Sequence, residues 1–296
     1  MSRKSLAFFI LTFFTALLSA ENFTPVNSSV KQVRLYQSEQ YSLQQGGYIS
    51  NQLVRYGLTL SQTKSDGTKA PRVGWTLSAG EFGFSPLVGF FKLNVNGISM
   101  ERLAPKAEDL TVWRNGKLAG CELKLNYDGA KLILRLFLRP DSPVLWGSLL
   151  PAEDTLEPVQ KAEVAFSLIP SKLLMDGKKV IWNGGYERMV ITPARIIEQT
   201  PQRVPLTPAD TYLVIQDKKL DGSTPENGQG PCMILLDYDA VQKASLRVND
   251  DWTSEVYLTL APDFKEFKFG LWQQEPRISN ADFAEKLKAE KAAFQR

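Results

Sequence analysis

The chain has 296 residues, with 35 Lys and Arg against 32 Asp and Glu, two cysteines and no histidine. Without histidine, neither a Ser-His-Asp nor a Cys-His nucleophile system can be built, because the base that takes the proton is missing. The usual His-containing zinc sites are excluded as well, and two cysteines cannot make a four-thiolate site.

The first residues, MSRKSLAFFILTFFTALLSAENF, place Arg3 and Lys4 ahead of an apolar run from Leu6 to Leu18 that ends in Ser19-Ala20. That is the layout of a secretory signal peptide. The run is about 13 residues, short of the roughly 20 that a membrane-spanning helix needs. The expectation is a signal peptide over 1–20 and an exported chain, periplasmic or extracellular, with a retained anchor as the competing reading. With Arg3 and Lys4 removed, the 35 basic residues fall to 33 against 32 acidic ones. No basic stripe is present, so a nucleic-acid partner is not expected. No later segment is long enough to span a membrane.

Between the signal segment and Phe90, the stretches KQVRLYQ, YISNQLVRYGLTLSQ and PRVGWTLSA read as strands. SQTKSDGTKAP and SAGEFGFSPLVG read as loops, and a small subdomain over 21–89 is one way to divide the chain. From Phe90 the punctuation becomes regular. Asn96-Gly97, Asn115-Gly116 and Asp128-Gly129 each sit between alternating runs. These dipeptides supply the positive φ angles that two-residue hairpins require. The expectation is an antiparallel meander across 110–139.

Its last strand alternates strictly: Leu132, Leu134, Leu136 and Leu138 point one way, and Ile133, Arg135, Phe137 and Arg139 the other. The leucines claim a core, leaving the mixed set to face outward, where Arg135 either meets a ligand or forms a structural ion pair with an acidic neighbour. Arg139-Pro140-Asp141-Ser142-Pro143 then stops the ladder, since proline cannot donate to it. Further strands are expected at about 144–150, 161–169, 179–183, 186–192, 211–217, 231–238, 243–249, 253–260 and 264–272. SNADFAEKLKAEKAAFQR closes the chain as an expected helix over 279–296, capped by Ser279 or Asn280.

Cys121 and Cys232 fall on apolar faces of probable strands. Either they form a disulfide in an oxidising compartment, or they are two buried free thiols acting as small hydrophobes. Asp237, Asp239 and Asp250-Asp251 sit at strand ends. Turn chemistry is the reading there, with a surface calcium site as the alternative. No cofactor or metal site is expected.

The fold expectation is all-β: a large antiparallel β-sandwich over 21–278 with one C-terminal α-helix. KVIWNGGYERMVIT offers an aromatic and arginine group, with Trp182 entering a tight turn, Tyr186 leaving it and Arg188 on the Tyr186 face. Aromatic faces stack on sugar rings, and arginine donates a fixed fork to hydroxyls or carboxylates. Arg135, Arg139, Trp182, Tyr186 and Arg188 are therefore expected on one contiguous non-core surface. At any one of these positions a core-edge tryptophan or a solvent-facing arginine is the plainer reading.

LILRLFLRPDSPVLWGSLL, with KASLRVNDDWTSEVYLTLAPDFKEFKFGLW further on, resembles the large β-sandwich of the galactose mutarotase-like superfamily over roughly 85–272. The resemblance implies a supersandwich fold and affinity for sugars. Mutarotases of that group work with histidines and a carboxylate, and this chain has no histidine to match them. The functional expectation is an exported carbohydrate-binding or carbohydrate-processing accessory protein with a glycan partner. The alternatives are a structural or protein-interaction module of the cell envelope, and a histidine-free polysaccharide lyase or glycosidase built on carboxylates and tyrosine.

Overall fold

The computed structural model describes residues 26–32, 41–63, 73–79, 82–84, 90–103, 106–168, 173–176, 179–182, 188–217, 232–248 and 254–273. The signal segment, Tyr186, Asp250-Asp251 and the 279–296 helix lie outside these residues. Among the described residues the regular structure is β-strand, with two single-turn 3-10 helices and no α-helix.

Strands β1 (Asn27–Gln32), β2 (Tyr41–Ser50), β3 (Arg55–Thr63), β4 (Val73–Ala79) and β5 (Phe82–Phe84) form a five-stranded antiparallel meander. Next come β6 (Phe91–Val95), β7 (Ile98–Ser99), β8 (Leu110–Asn115), β9 (Leu118–Tyr127), β10 (Ala130–Leu138), β11 (Leu145–Pro151) and β12 (Ala162–Leu168). β13 (Leu173–Asp176) and β14 (Lys179–Trp182) pair as a two-stranded ribbon. They are followed by β15 (Arg188–Ile191), β16 (Ile196–Glu198), β17 (Thr200–Leu206) and β18 (Tyr212–Asp217). The last four are β19 (Cys232–Leu236), β20 (Val241–Val248), β21 (Ser254–Leu260) and β22 (Phe267–Gln273). A nine-stranded sheet runs β16-β15-β18-β19-β22-β11-β10-β9-β8, and a six-stranded one runs β17-β20-β21-β12-β6-β7. The pairings are antiparallel throughout, so the expected all-β sandwich is what the chain forms.

The two large sheets share one core. Leu132, Leu134, Leu136 and Leu138 are at most 1% exposed, against Leu93, Val164 and Leu258 of the six-stranded sheet in the same cluster. Burying each such leucine stabilises the fold by about 1.5–3 kcal/mol. At the centre Phe269 of β22 meets Phe166 of β12 edge-on at 4.9 Å and Phe91 of β6 in a stack at 5.9 Å. Gly147 is registered opposite Phe269, and a Cβ there would lie 2.1 Å from its ring. The glycine is thus a seat for the aromatic ring, set by sterics and not by backbone angle.

The β9–β10 hairpin turns on Asp128 and Gly129, at φ 55° and 100°, as the dipeptide demands. The loop after β11 clasps its tip. Leu156 and Glu157 donate backbone N–H bonds to the Gly129 carbonyl at 3.1 and 3.2 Å, and Lys131 donates to the Thr155 hydroxyl at 2.9 Å. The five-stranded sheet secures the opposite end. Asn51 Nδ2 donates to the Arg139 and Ser142 carbonyls at 2.8 and 2.7 Å, and the Tyr56 hydroxyl to that of Pro143 at 2.7 Å. These bonds satisfy carbonyls in the proline-rich loop that no ladder reaches. Ile49, Tyr56 and Leu58 join the sandwich core.

The expected turn at Asn115-Gly116 is displaced by one residue. Asn115 ends β8 paired with Leu118, and the loop is Gly116-Lys117 with Gly116 at φ 57°. Glycine in the first central position is the type II′ requirement, so the glycine and not the asparagine fixes this turn. Both cysteines are unbridged thiols buried in the core, and burial pushes the Cys121 thiol up to about 12. At β17, TPQRVPL forms a strand that its prolines disguised. It lies at the sheet edge, where a missing N–H is tolerated.

The Phe269 seat yields a stability prediction. Phe269→Ala is expected to cost about 3–5 kcal/mol, and Gly147→Ala about 1–3 kcal/mol by overpacking. Urea unfolding measures both. A Gly147→Ala protein as stable as the wild type contradicts the packing described.

Candidate functional site

Cross-strand partners share a face, so the register maps the outward side of the nine-stranded sheet. One row runs Thr111, Glu122, Arg135, Ser148 and Lys268 across β8, β9, β10, β11 and β22. The next runs Trp113, Gly120, Phe137, Trp146 and Gly270 over the same strands. A charged row therefore lies beside an aromatic row. Trp113 and Phe137 both oppose Gly120, and with no side chain between them their rings approach to 5.2 Å at 46°. Further along the sheet, Val144, Trp146, Val214, Met233, Leu235 and Trp272 form a second buried apolar cluster, with Phe137 at its margin.

Arg135 joins the two rows. Its Nε donates to Glu122 Oε2 at 2.7 Å, and its guanidinium lies 5.6 Å from the Trp113 ring centroid. The side chains are 27% and 14% exposed, so the pair is less screened than a surface bridge and the cation–π contact more effective. Beside Arg135 opens a recess of about 610 Å³, within the size range of ligand sites. Ile133 and Leu150 give it an apolar floor, and Glu122, Lys124, Lys131 and Arg135 line it from the strands. Asp109, Glu153 and Asp154 line it from the flanking loops. Lys131 Nζ donates to Asp154 at 2.6 Å, and that bond holds the Asp154 carboxyl below the usual range. The Asp109 carboxylate accepts the Lys106 N–H at 2.6 Å.

Of the expected site residues, Arg135 is central to this face. Arg139 lies one residue beyond β10, pairs with Asp141 at 3.4 Å and does not line the recess. Trp182 ends β14 in the separate two-stranded ribbon. Tyr186 is among the residues not described. Arg188 corrects the expectation: it is 3% exposed and shares the side of β15 occupied by Val190, which faces the core. Alternation forces this, since Val190 pairs with buried Ile215 and Arg188 lies two residues away. The buried cation is registered opposite Asp217. Arg135 and Arg188 thus lie on opposite faces, separated in the sheet by β11, β22, β19 and β18.

Trp113 and Glu122 are the additions. Glu122 opposes Arg135 once the Asp128-Gly129 turn is taken as the register pin, so its signal was present in the sequence. Trp113 required the Gly116-Lys117 turn. The displaced turn slides β8 two residues along β9, which brings Trp113 from Leu118 to Gly120.

No family model matches the chain, and no curated protein matches it. Among solved structures, an alpha-N-acetylgalactosaminidase from Bifidobacterium bifidum in complex with GalNAc is similar over 86% of this chain and 36% of its own, with 8% identity and TM-score 0.47. Its ligand-free form is similar over 89% and 37%, with 8% identity and TM-score 0.44. A TPR-domain containing protein from Parabacteroides distasonis is similar over 86% and 55%, with 7% identity and TM-score 0.41. The chain spans from about a third to just over half of the length of these proteins.

Two polar nodes lie away from the recess. On the outer side of the six-stranded sheet Glu255 accepts from the Tyr257 hydroxyl at 2.5 Å and from Arg247 at 2.9 Å, while Arg203 sits 3.8 Å over the Tyr257 ring. Burial and then the Glu255 bond push the Tyr257 phenol up. At Asp239 the N–H donates to the Asp237 carboxylate at 3.0 Å, the turn chemistry expected there.

The second node is Asp210, fully buried. Its Oδ2 accepts from the Thr207 N–H and hydroxyl at 2.9 and 3.1 Å, with Arg195 at 3.6 Å. Burial alone would raise its pKa, but the bonds from Thr207 and Thr192 and the charge of Arg195 hold it below the usual carboxylate range. A depressed folded pKa contributes stability that is full above the unfolded pKa and lost as pH falls through the folded one. Asp210→Asn should therefore lower urea-unfolding stability at pH 7, with the difference shrinking below about pH 4. An equal loss at pH 7 and pH 2 contradicts this assignment.

Proposed function

We propose that the protein is an exported carbohydrate-binding protein that holds a glycan on the outward face of β8 to β11, beside Arg135. One observation carries the reading. Trp113 and Phe137 flank the bare Gly120 next to the Arg135–Glu122 pair, and that pair in turn lines a recess of about 610 Å³. Half-buried aromatic surface meets the C–H face of a sugar ring, and the charged pair meets its hydroxyls. The layout of the first twenty residues supports the export part of this reading. The likeness in strand rhythm to the galactose mutarotase-like superfamily supports sugar affinity, not epimerase chemistry, because the chain lacks histidine.

Binding rather than turnover fits two of the four carboxylates that line the recess. Asp154 is tied to Lys131 and Glu122 to Arg135, so each is already engaged by a cation. The envelope-interaction reading has one observation in its favour. β8 is an edge strand of the nine-stranded sheet, and Val112 on it is 41% exposed. Exposed edges invite pairing with another chain. A glycan array separates the two readings, since a docking module gives no glycan signal.

For whichever oligosaccharide scores on such an array, Trp113→Ala should weaken binding about tenfold, equivalent to about 1.4 kcal/mol. Its melting temperature should stay close to that of the wild type. Isothermal titration and thermal unfolding read the two quantities. Unchanged affinity, or a stability loss of the 3–5 kcal/mol typical of a core aromatic, removes Trp113 from the site.

A further inference from the structure

The hydrogen-bonding capacity left over in the recess narrows the ligand class, an inference that rests on the carbohydrate reading above. Arg135 uses its Nε on Glu122 Oε2, and the guanidinium makes no other hydrogen bond among the described residues. Its two Nη groups are unused donors, and Glu122 Oε1 is an unused acceptor on the same half-buried pair. Neither is among the buried polar atoms that lack a partner, so both stand open at the surface, where the hydroxyls of a ligand can reach them. Lys124 adds an ammonium from the same side of β9.

Donor and acceptor therefore sit side by side, fixed by one ion pair. Adjacent hydroxyls on a sugar ring have the matching pattern, because each hydroxyl both donates and accepts. A carboxylate or sulfate only accepts, and sets a like charge against Glu122. The charges of the recess point the same way. Its cations are Lys124, Lys131 and Arg135, and its anions are Asp109, Glu122, Glu153 and Asp154. Two of those cations are already neutralised, at 2.7 Å by Glu122 and at 2.6 Å by Asp154. An incoming anion meets surplus negative charge and only one uncommitted cation. We infer that the recess takes an uncharged glycan, gripped through vicinal hydroxyls by the Arg135 Nη groups and Glu122 Oε1, and that it rejects acidic polysaccharides.

The experiment uses the chain without its first twenty residues and two sets of probes by isothermal titration. The uncharged set is cellohexaose, xylohexaose, mannohexaose and chitohexaose. The acidic set is oligogalacturonate, oligoalginate and heparin hexasaccharide. Each is measured at low and at physiological salt, since ionic attraction is screened at the higher one. The expected result is binding of at least one uncharged probe with affinity unchanged by salt, and no binding of the acidic set. Glu122→Gln should weaken the uncharged ligand about tenfold, and urea unfolding of the variant separates lost binding from lost folding. Stronger, salt-sensitive binding of an acidic probe overturns the inference while the carbohydrate reading stands. Silence from both sets overturns the carbohydrate reading itself. The comparison of probes on the unsubstituted protein holds even if Glu122→Gln fails to fold.

Discussion

The pairing of β9 with β10 is the constraint on which the rest of the structure depends. Because side chains alternate with period two, a one-residue slip would exchange the leucine face for the Ile-Arg-Phe face. Asp128-Gly129 prevents the slip, and the clasp of Leu156, Glu157 and Thr155 on the hairpin tip reinforces it. The clasp also brings charged groups with it. The loop that closes on Gly129 carries Asp154, which meets Lys131 in the recess wall. Stability of the hairpin and shape of the candidate site thus come from the same few contacts.

Glycine decides packing on both sides of the nine-stranded sheet. Inward, Gly147 makes room for Phe269, around which Phe91 and Phe166 close the sandwich. Outward, Gly120 leaves Trp113 and Phe137 free to meet across it. It also lets β9 approach β10 closely, since a Cβ there would lie 2.0 Å from the Leu136 carbonyl oxygen. These positions would be easy to dismiss as weak points in strands, where glycine packs nothing of its own. Here each is defined by the aromatic rings beside it.

Much of the fold was legible because its signals are local. The Leu132 to Leu138 alternation, the Asp128-Gly129 turn and the proline stop at 140–143 each act within a few residues, and each stands in the structure as read. Gly116 shows the limit of such reading: Asn-Gly and Gly-Lys both make good two-residue loops, and only the pairing of the whole strand chooses between them. Edge strand β17 was hidden because its prolines count against a strand anywhere but at an edge, and edges are a property of topology. The site was less legible for the same reason. Arg135 was found from alternation alone, yet its neighbours Trp113 and Glu122 arrive from other strands. Arg188 was misplaced because a buried cation contradicts residue type, and only the neighbouring Val190 reveals its side.

β10 has two faces with different surroundings, one in the sandwich core, the other half-exposed and carrying the Arg135–Glu122 pair beside which the glycan is proposed to lie. An alanine scan along β10, reading unfolding free energy and glycan affinity on every variant, tests that division most directly. Leu132, Leu134 and Leu136 substitutions should cost about 2–5 kcal/mol of stability, with affinity retained by whatever remains folded. Arg135 and Phe137 substitutions should reduce affinity at much smaller cost to folding. Stability losses at Arg135 and Phe137 as large as those at the leucines, with no loss of binding at either, would show the outward face to be structural and contradict the account.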